Sequence, residues 1–249
     1  MSLDTVMLTK EKCIGTVSYM GGVMAIPEPF TWAWGEMREF SRIALCQTNE
    51  YIYATRATVS LHDTARNHLA DAMRGEWLLM LDTDLNFDPD ICARLVRLMM
   101  LHDLDVVTGV YCFKSPPHTP VIYYWNEETE RTEMIGEWEN EDPTQRAELF
   151  PIGSAGGGCL LIRRRVFDRI RDELGDKPFD RMPAKNWKSA THGEDHSFFR
   201  RLHMLGIKAY CAPLIHAYHL RFDGVNPDHR PRNLPVIATH TIQGAGRAL

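Results

Sequence analysis

The chain has 249 residues, with 28 Lys and Arg against 33 Asp and Glu, a formal net charge of −5 and a pI near 6.1. This acidic balance excludes a strongly basic surface of the kind that binds nucleic acid without sequence preference. Hydrophobic residues make up 44% and charged residues 24%, which is typical of a globular domain and excludes a wholly disordered or fibrous chain.

The first half of the sequence alternates between strand and helix patterns. Short apolar runs rich in β-branched residues predict strands, and amphipathic segments between them predict helices. In chain order they are a strand at 13–19, a helix at 30–45, a strand at 51–60, a helix at 63–74, a strand at 77–81, a helix at 89–101 capped by Asp88, and a strand at 105–111. This alternation predicts a mainly parallel sheet flanked by helices.

The alternation breaks after Val121. The strongly acidic segment from Glu127 to Asp142 predicts a solvated hairpin or flap inserted between core elements. The core resumes with a strand at 159–162, a helix at 163–174, a helix at 194–205 and a late strand at 208–212, after which prolines interrupt any pattern. We therefore predict a single domain over residues 1–222 and a C-terminal tail or lid over residues 223–249.

Membrane and export signals are lacking in the sequence. No apolar stretch approaches the roughly 20 residues needed to span a bilayer, and the first residues do not form the apolar core of a secretory signal. The six cysteines are scattered without a Cys-x-x-Cys pair and predict buried, reduced thiols. These features predict a cytoplasmic protein without a membrane span, and they leave its oligomeric state open.

The most informative stretch is an apolar strand that runs into two acids. Five apolar residues, Trp77 to Leu81, are followed by Asp82-Thr83-Asp84. Ligands of open α/β sheets bind at the carboxyl ends of the strands, where two neighbouring carboxylates can hold Mg²⁺ or Mn²⁺. Asp-x-Asp alone is a weak signal, and a solvated loop is the competing interpretation.

Other candidate residues lie later in the chain. Glu194 and Asp195 open a predicted helix, where a carboxylate is either an ordinary first-turn acid or a base facing an acceptor hydroxyl. His219 has the chemistry of a metal ligand, although a lone histidine in a half-apolar strand is more often structural. Gly157 and Gly158 precede an apolar strand and favour either close approach to a ligand or a tight bulge.

The order of these motifs carries more information than any one of them. They are Ala65-Arg66-Asn67 at a helix start, Asp82-Thr83-Asp84 at a strand end, Gly157-Gly158 before an apolar strand, Glu194-Asp195 at a helix start and His219 after a late strand. Over about residues 13–222 this order resembles the GT-A glycosyltransferases, especially the family 2-like group. The segment 106–111 with Lys114 is similar to phage and metagenomic members.

The resemblance implies a Rossmann-like GT-A fold and a set of site residues. It implies Asp195 as the catalytic base with Glu194 beside it, and a divalent metal, Mn²⁺ or Mg²⁺, held by Asp82, Asp84 and His219. The nucleotide-sugar site that it implies comprises Ser18, Tyr19, Asp63, Arg66, Asp82, Asp84, Gly157 and Gly158. From chemistry alone, the Arg66 guanidinium suits phosphate or a base edge, and a surface ion pair with Asp63 or Asp71 is the alternative.

The function expected is metal-dependent transfer of a sugar from a UDP- or GDP-linked donor to an acceptor hydroxyl. The donor, the sugar, the acceptor and the stereochemistry stay open, and a modified nucleobase stays among the acceptors although the net charge gives it no support. One alternative is a sugar nucleotidyltransferase, which the cation-free segment 19–24 disfavours. The other is a non-catalytic nucleotide-sugar-binding module of the same fold.

Overall fold

The computed structural model describes residues 11–21, 26–58, 61–115, 118–126, 128, 131–134, 148–183 and 192–220. The predicted tail and most of the predicted flap lie outside these residues. The helices are α1 (Glu28–Leu45), α2 (His62–Ala72), α3 (Ile91–Leu101), α4 (Arg164–Arg169) and α5 (Glu194–Met204). The strands are β1 (Lys12–Met20), β2 (Glu50–Ala57), β3 (Trp77–Asp82), β4 (Leu85–Phe87), β5 (Val106–Val110), β6 (Ile122–Asn126), β7 (Arg131–Met134), β8 (Phe150–Ile152), β9 (Ser154–Ala155), β10 (Cys159–Arg163) and β11 (Ala209–His219).

The main sheet is mixed and mostly parallel. Its strand order is β2-β1-β3-β10-β5-β11-β4, and β8 pairs with β11. Strands β1, β2, β3, β5 and β11 run in one direction, while β10 is inserted antiparallel between β3 and β5. The predicted α/β fold with helices on a mainly parallel sheet is confirmed. The carboxyl ends of β1, β3, β5 and β11 consequently meet at one edge.

Strand β3 shows how the sequence produces this layered fold. Its side chains alternate between two apolar cores, because successive residues of a strand point to opposite faces of the sheet. Leu79 and Leu81 pack on the side of α1 and α3, whereas Leu78 and Met80 pack on the side of α2, α4 and α5. A strand covered by helices on both faces needs apolar residues at every position, which explains the uninterrupted run that ends at Asp82.

Two element boundaries differ from the prediction. The Ile91 N–H donates to the Asp88 carbonyl at 3.1 Å in a turn that precedes α3, so the prediction that Asp88 caps this helix is wrong. Strand β11 runs well beyond residue 212 and includes Pro213. A proline has no N–H for a ladder, but the pairing of β11 with β5 shifts register between Cys211 and His216, and Pro213 lies in that irregular segment.

The helix predicted at 163–174 changes character along its length. Its first part is α4, and a π-helical turn at Ile170–Leu174 continues it to Gly175, whose φ of +68° suits a residue without a side chain. The predicted hairpin after Val121 is present where the structure describes it. There β6 pairs antiparallel with β7 and, on its other edge, with β9, forming a small second sheet.

The cysteines match their prediction only in part. None of the six forms a disulfide, and Cys92, Cys159 and Cys211 are buried, whereas the other three are half-buried. Among the helices that the structure describes, none combines the length and apolar character needed to cross a bilayer.

Candidate active site

The acids of the Asp-x-Asp motif lie where the parallel strands end. Asp82 is the last residue of β3, and its N–H donates to the Gly158 carbonyl at 3.0 Å, just before β10 begins. Tyr111 follows the end of β5, and its hydroxyl accepts a hydrogen bond from the Gly158 N–H at 3.1 Å. The predicted gathering of Asp82 and the glycine segment at one edge of the sheet is thus observed.

Arg66 is the centre of a buried cluster at this edge. Its side chain is only 3% exposed. Its Nη2 atom lies 3.2 Å from Asp82 Oδ1, its Nε atom 3.4 Å from Glu194 Oε1, and its Nη1 donates to the Gly157 carbonyl at 2.8 Å. The guanidinium therefore joins the end of β3 to the start of α5, two segments more than a hundred residues apart. We call Arg66, Asp82, Glu194 and Gly157 the Arg66 cluster.

Burial and charge act against each other in this cluster. Burial on its own lowers the pKa of Arg66, but the carboxylates of Asp82 and Glu194 oppose it, and the net pKa is raised. Burial raises the pKa of Asp82; Arg66 lowers it, the nearby charge of Asp84 raises it further, and the net pKa is raised. Tyr111 is buried against Asp82, and its pKa lies well above the usual value for a phenol, so it is a neutral hydroxyl.

The glycine segment is shaped by these neighbours. A Cβ atom on Gly157 would lie 2.4 Å from Arg66 Cζ, and one on Gly158 would lie 2.9 Å from Asp82 Oδ2. Both distances are shorter than side-chain contacts allow, so only glycine fits while the Arg66 cluster keeps its geometry. The close approach that the sequence suggested is therefore to the chain's own charged residues.

Asp84 has different surroundings. Its Oδ2 atom lies 2.6 Å from Lys114 Nζ, and the two side chains are 31% and 43% exposed. Both line an open cavity of about 600 Å³ together with Phe113, Ser115, Thr119, Met134 and His219. We call this the Asp84 cavity. The Asp84 carbonyl also accepts the Leu220 N–H at 2.7 Å, which ties the end of β11 to the motif.

His219, and not His216, is the histidine of this cavity. Its Nδ1 atom lies 2.6 Å from the Cys112 carbonyl, and its ring meets the edge of Tyr111 with 5.3 Å between ring centroids. With Nδ1 held by a carbonyl, the atom left to face a ligand is Nε2. His216 lies three residues earlier, in register with Val110 of β5.

The two acids of α5 have separate partners. Glu194 is buried on Arg66. Asp195 is half-buried, and its Oδ1 accepts the His196 N–H at 2.8 Å. Burial is the main cause that raises the pKa of Tyr111 and of Tyr123, and the negative charge of Asp195 adds a smaller increase to both. Gly193 precedes the helix, so neither acid is its N-cap residue. Asp195 lies within electrostatic range of Arg66 and of Tyr123 in the second sheet.

Of the predicted nucleotide-binding residues Ser18 and Tyr19, only Tyr19 has a side chain that is partly exposed. Ser18 is fully buried and its hydroxyl donates to the Leu79 carbonyl at 2.9 Å, which is inconsistent with direct contact between its side chain and a nucleotide. Tyr19 is half-buried and packs against Phe30 and Trp34 of α1. Because Tyr19 is in register with Leu81, it reaches the same sheet edge as the Asp-x-Asp motif.

The ion-pair alternative for Arg66 is wrong. Asp63 pairs with Arg181 instead, with 3.3 Å between Asp63 Oδ2 and Arg181 Nε. Asp71 pairs with Arg171, with 2.7 Å between Asp71 Oδ1 and Arg171 Nη2. The partners of Arg66 come instead from distant segments. The predicted contact of Arg66 with a nucleotide also meets an obstacle, since its guanidinium is buried and occupied by the cluster.

Two residues escaped the sequence analysis. Tyr111 had a usable signal, because it is a polar aromatic residue directly after a predicted parallel strand. His196 had none: its Nδ1 lies 3.0 Å from Ser154 Oγ and its ring contacts Tyr123, contacts made by strands of the second sheet. His196 directly follows Asp195, and Tyr111 lies within electrostatic range of Asp195.

A divalent ion fits this edge by its donor chemistry. Asp84 supplies a carboxylate and His219 an imidazole nitrogen in one cavity, and both are suitable ligands for Mn²⁺. Asp82 would contribute the oxygen that Arg66 does not hold. Within the described residues, however, no three His, Cys, Asp or Glu side chains are gathered closely enough to hold a metal ion.

The comparisons with known proteins bear directly on this site. The model of the glycosyl transferase family 2 matches residues 40–171, a range that contains Arg66, the Asp-x-Asp motif and the glycine segment. Among curated proteins, none matches the chain significantly. Since the matched range is more than half of the 249 residues, and the sheet is the expected mixed and mostly parallel one, the chain belongs to glycosyl transferase family 2 and has an α/β fold of the GT-A type.

Proposed function

We propose that this glycosyltransferase moves a sugar from a nucleotide-diphosphate donor to an acceptor hydroxyl, with Mn²⁺ or Mg²⁺ bound at the Asp-x-Asp motif. The observation that carries the proposal is the double ion pair of Arg66 with Asp82 and Glu194. It brings the acids of β3 and the acids of α5 to the same edge of the sheet. A donor bound at Asp82 and Asp84 can therefore react beside Glu194 and Asp195.

Asp195 is the proposed catalytic base. In the transfer, the acceptor oxygen forms a bond to the anomeric carbon, the bond from that carbon to the diphosphate oxygen breaks, and the acceptor proton passes to the Asp195 carboxylate. The first turn of α5 is a favourable place for a carboxylate because the positive end of the helix dipole lies there, and Asp195 Oδ1 accepts the His196 N–H. A single displacement of this kind inverts the anomeric configuration.

Glu194 has a different role in this proposal. Its carboxylate is buried and engaged by Arg66, so it is a positioning residue and not a second base. Arg66 holds Glu194 and Asp82 at a constant separation, and through Glu194 it orients the start of α5. Asp195, the next residue, is thereby directed towards the reaction space.

Asp84 and His219 are the proposed metal ligands, with Asp82 as the third. A divalent ion bound there would neutralise charge on the departing diphosphate. Contacts within the protein orient two of these residues. The Cys112 carbonyl contacts His219 Nδ1, and the Leu220 N–H donates to the Asp84 carbonyl. A cytoplasmic location and the identity of the donor nucleotide stay predictions.

Calorimetric binding of UDP and GDP tests the donor site. We expect one of them to bind in Mn²⁺, and to bind at least about tenfold more weakly in EDTA and in Asp84→Asn, because a carboxylate ligand is lost. Asp71→Asn is the matched control, since Asp71 is exposed on α2 and pairs with Arg171. Failure of both nucleotides to bind the native protein with Mn²⁺ contradicts the proposal.

Turnover distinguishes an enzyme from a binding module. Hydrolysis of UDP- or GDP-sugars should exceed that of Asp84→Asn, and Asp195→Asn should retain nucleotide binding while losing turnover by about a hundredfold or more. Donor binding without turnover in the native protein favours the non-catalytic module. A retained anomeric configuration in the product, measured by NMR, removes Asp195 from the role of simple base.

A further inference from the structure

Lys114 occupies a position that the roles assigned above do not explain. It lies four residues beyond the end of β5, in a turn that is held at both ends. Cys112 pairs with Pro120, and the Phe113 N–H donates to the Thr119 carbonyl at 2.9 Å. Lys114 Nζ lies 2.6 Å from Asp84 Oδ2.

The Asp84 cavity collects groups that donate hydrogen bonds to anions. Lys114, Ser115 and Thr119 line it, and their ammonium and hydroxyl groups are hydrogen-bond donors. Such groups bind phosphate oxygens, and a lysine ammonium in particular acts as a point charge for phosphate. Among the described residues that line the cavity, Asp84 carries the negative charge.

The ion pair between Lys114 and Asp84 is one in which another anion can replace the carboxylate. Both side chains are substantially exposed, and ion pairs in contact with water contribute little to stability. A diphosphate carries more negative charge than one carboxylate and offers several oxygens, so it competes effectively for the ammonium. When the carboxylate of Asp84 is released, it becomes available to a cation.

We propose that Lys114 binds the diphosphate of the donor, and that Asp84 is its counterion only in the ligand-free protein. The inference rests on the proposed function, since it assumes a nucleotide-diphosphate donor at this edge. Lys114 contacts phosphate oxygens and leaves Asp84 as the ligand arrives. Asp84 consequently has opposite effects with and without metal: it repels the diphosphate when no divalent ion is bound, and it contributes to binding when one is present.

Calorimetry with UDP and GDP on Lys114 variants tests this. In EDTA, or in Mn²⁺ where binding needs the metal to be measurable, Lys114→Met should bind the preferred nucleotide about tenfold more weakly, and Lys114→Arg should stay within about threefold because it keeps the charge. The corresponding nucleoside, which has no phosphate, should bind both variants like the native protein.

Lys208→Met is the matched control. Lys208 is exposed and lies just before β11, at the opposite end of that strand from His219, so the variant makes the same change of charge away from the site. We expect native affinity for it. In EDTA, Asp84→Asn should bind the diphosphate at least as tightly as the native protein, the reverse of its effect in Mn²⁺.

The outcomes separate the two proposals. Native nucleotide binding with an unchanged affinity in Lys114→Met overturns the role of Lys114 and leaves the proposed function standing. An equal loss in Lys208→Met, or a loss of nucleoside binding as well, also overturns it, because the effect is then one of overall charge or folding. If neither nucleotide binds the native protein with or without Mn²⁺, both proposals fall.

Discussion

The two aspartates of the Asp-x-Asp motif are separated by one residue in sequence, and their side chains are similarly exposed, 24% for Asp82 and 31% for Asp84, but they pair with cations in contrasting environments. Asp82 pairs with an arginine that is almost fully buried, in a cluster that also holds Glu194 and the Gly157 carbonyl. Asp84 pairs with a lysine in an open cavity. The motif thus contains one acid paired with a buried cation and one acid paired with an exposed cation.

The difference follows from the medium around each pair. A charge removed from water loses its hydration, so a buried carboxylate and a buried guanidinium depend on each other and on hydrogen bonds to neighbouring groups. In the exposed pair, water and salt compete with each partner, and the ions separate at low cost. Arg66 therefore acts as a positioning residue, and Lys114 is suited to exchange one anion for another.

Removal of the buried cation should have the largest effect. Arg66→Met leaves the carboxylates of Asp82 and Glu194 without their counterion, and we expect the free energy of unfolding to fall by about 3–5 kcal/mol. Lys114→Met, which breaks the exposed pair, should lower it by less than about 1 kcal/mol. Urea unfolding followed by circular dichroism measures both values. Equal losses in the two variants would contradict the contrast between the pairs.

The glycine beside Arg66 should be the next most sensitive position. A Cβ on Gly157 meets the guanidinium at 2.4 Å, and Arg66 cannot move aside without breaking its contacts, so Gly157→Ala should destabilise the protein by about 1–3 kcal/mol.

Gly35→Ala is the control for the glycine prediction. Gly35 lies within α1, and a Cβ there has no other atom within 4 Å. Alanine should stabilise the helix by about 0.5–1 kcal/mol. Thermal or urea unfolding of the two variants should therefore show opposite signs, and a neutral Gly157→Ala would mean that the cluster rearranges readily.

Cysteine reactivity compares the two regions without an amino-acid substitution. Cys159 follows the glycine segment, is fully buried, and its burial raises the pKa of the thiol to about 12. Cys112 is half-buried in the turn that carries Lys114. At pH 8, iodoacetamide should modify Cys112 at least about tenfold faster than Cys159, as followed by peptide mass spectrometry. Similar rates would show that the segment around Cys159 opens frequently to solvent.

Local patterns were sufficient for most of the fold. The run Trp77–Leu81 required a strand covered on both faces, and the alternation around it required a parallel sheet with helices, which is what the structure contains. Prediction failed at two element boundaries, one for a long-range reason and one for a local reason. Pro213 suggested the end of a strand, but an irregular pairing with β5 accommodates it. Asp88 had the sequence of a cap, but the chain turns before α3 begins.

The candidate site was also predictable from the sequence only in part. Sequence order nominated Asp82, Asp84, Glu194, Asp195 and His219 as candidate residues, because their motifs occur at strand ends and helix starts. The range matched by the family contains Asp82 and Asp84. Sequence alone did not distinguish the roles of Arg66 and Lys114, since both are cations near acids. Burial and distance separate them, and neither quantity is encoded in a local motif.

The sequence by itself determined the order of the helices and of the central strands of the main sheet, the family, and the sheet edge at which the Asp-x-Asp motif lies. It could do so because apolar periodicity and strand-end motifs depend on neighbouring residues. Only the tertiary structure decided that Arg66 joins Asp82 to Glu194 and that Lys114 covers Asp84. Those contacts join residues 16, 30 and 128 positions apart, and their chemical meaning depends on how much water the folded chain leaves around each charge.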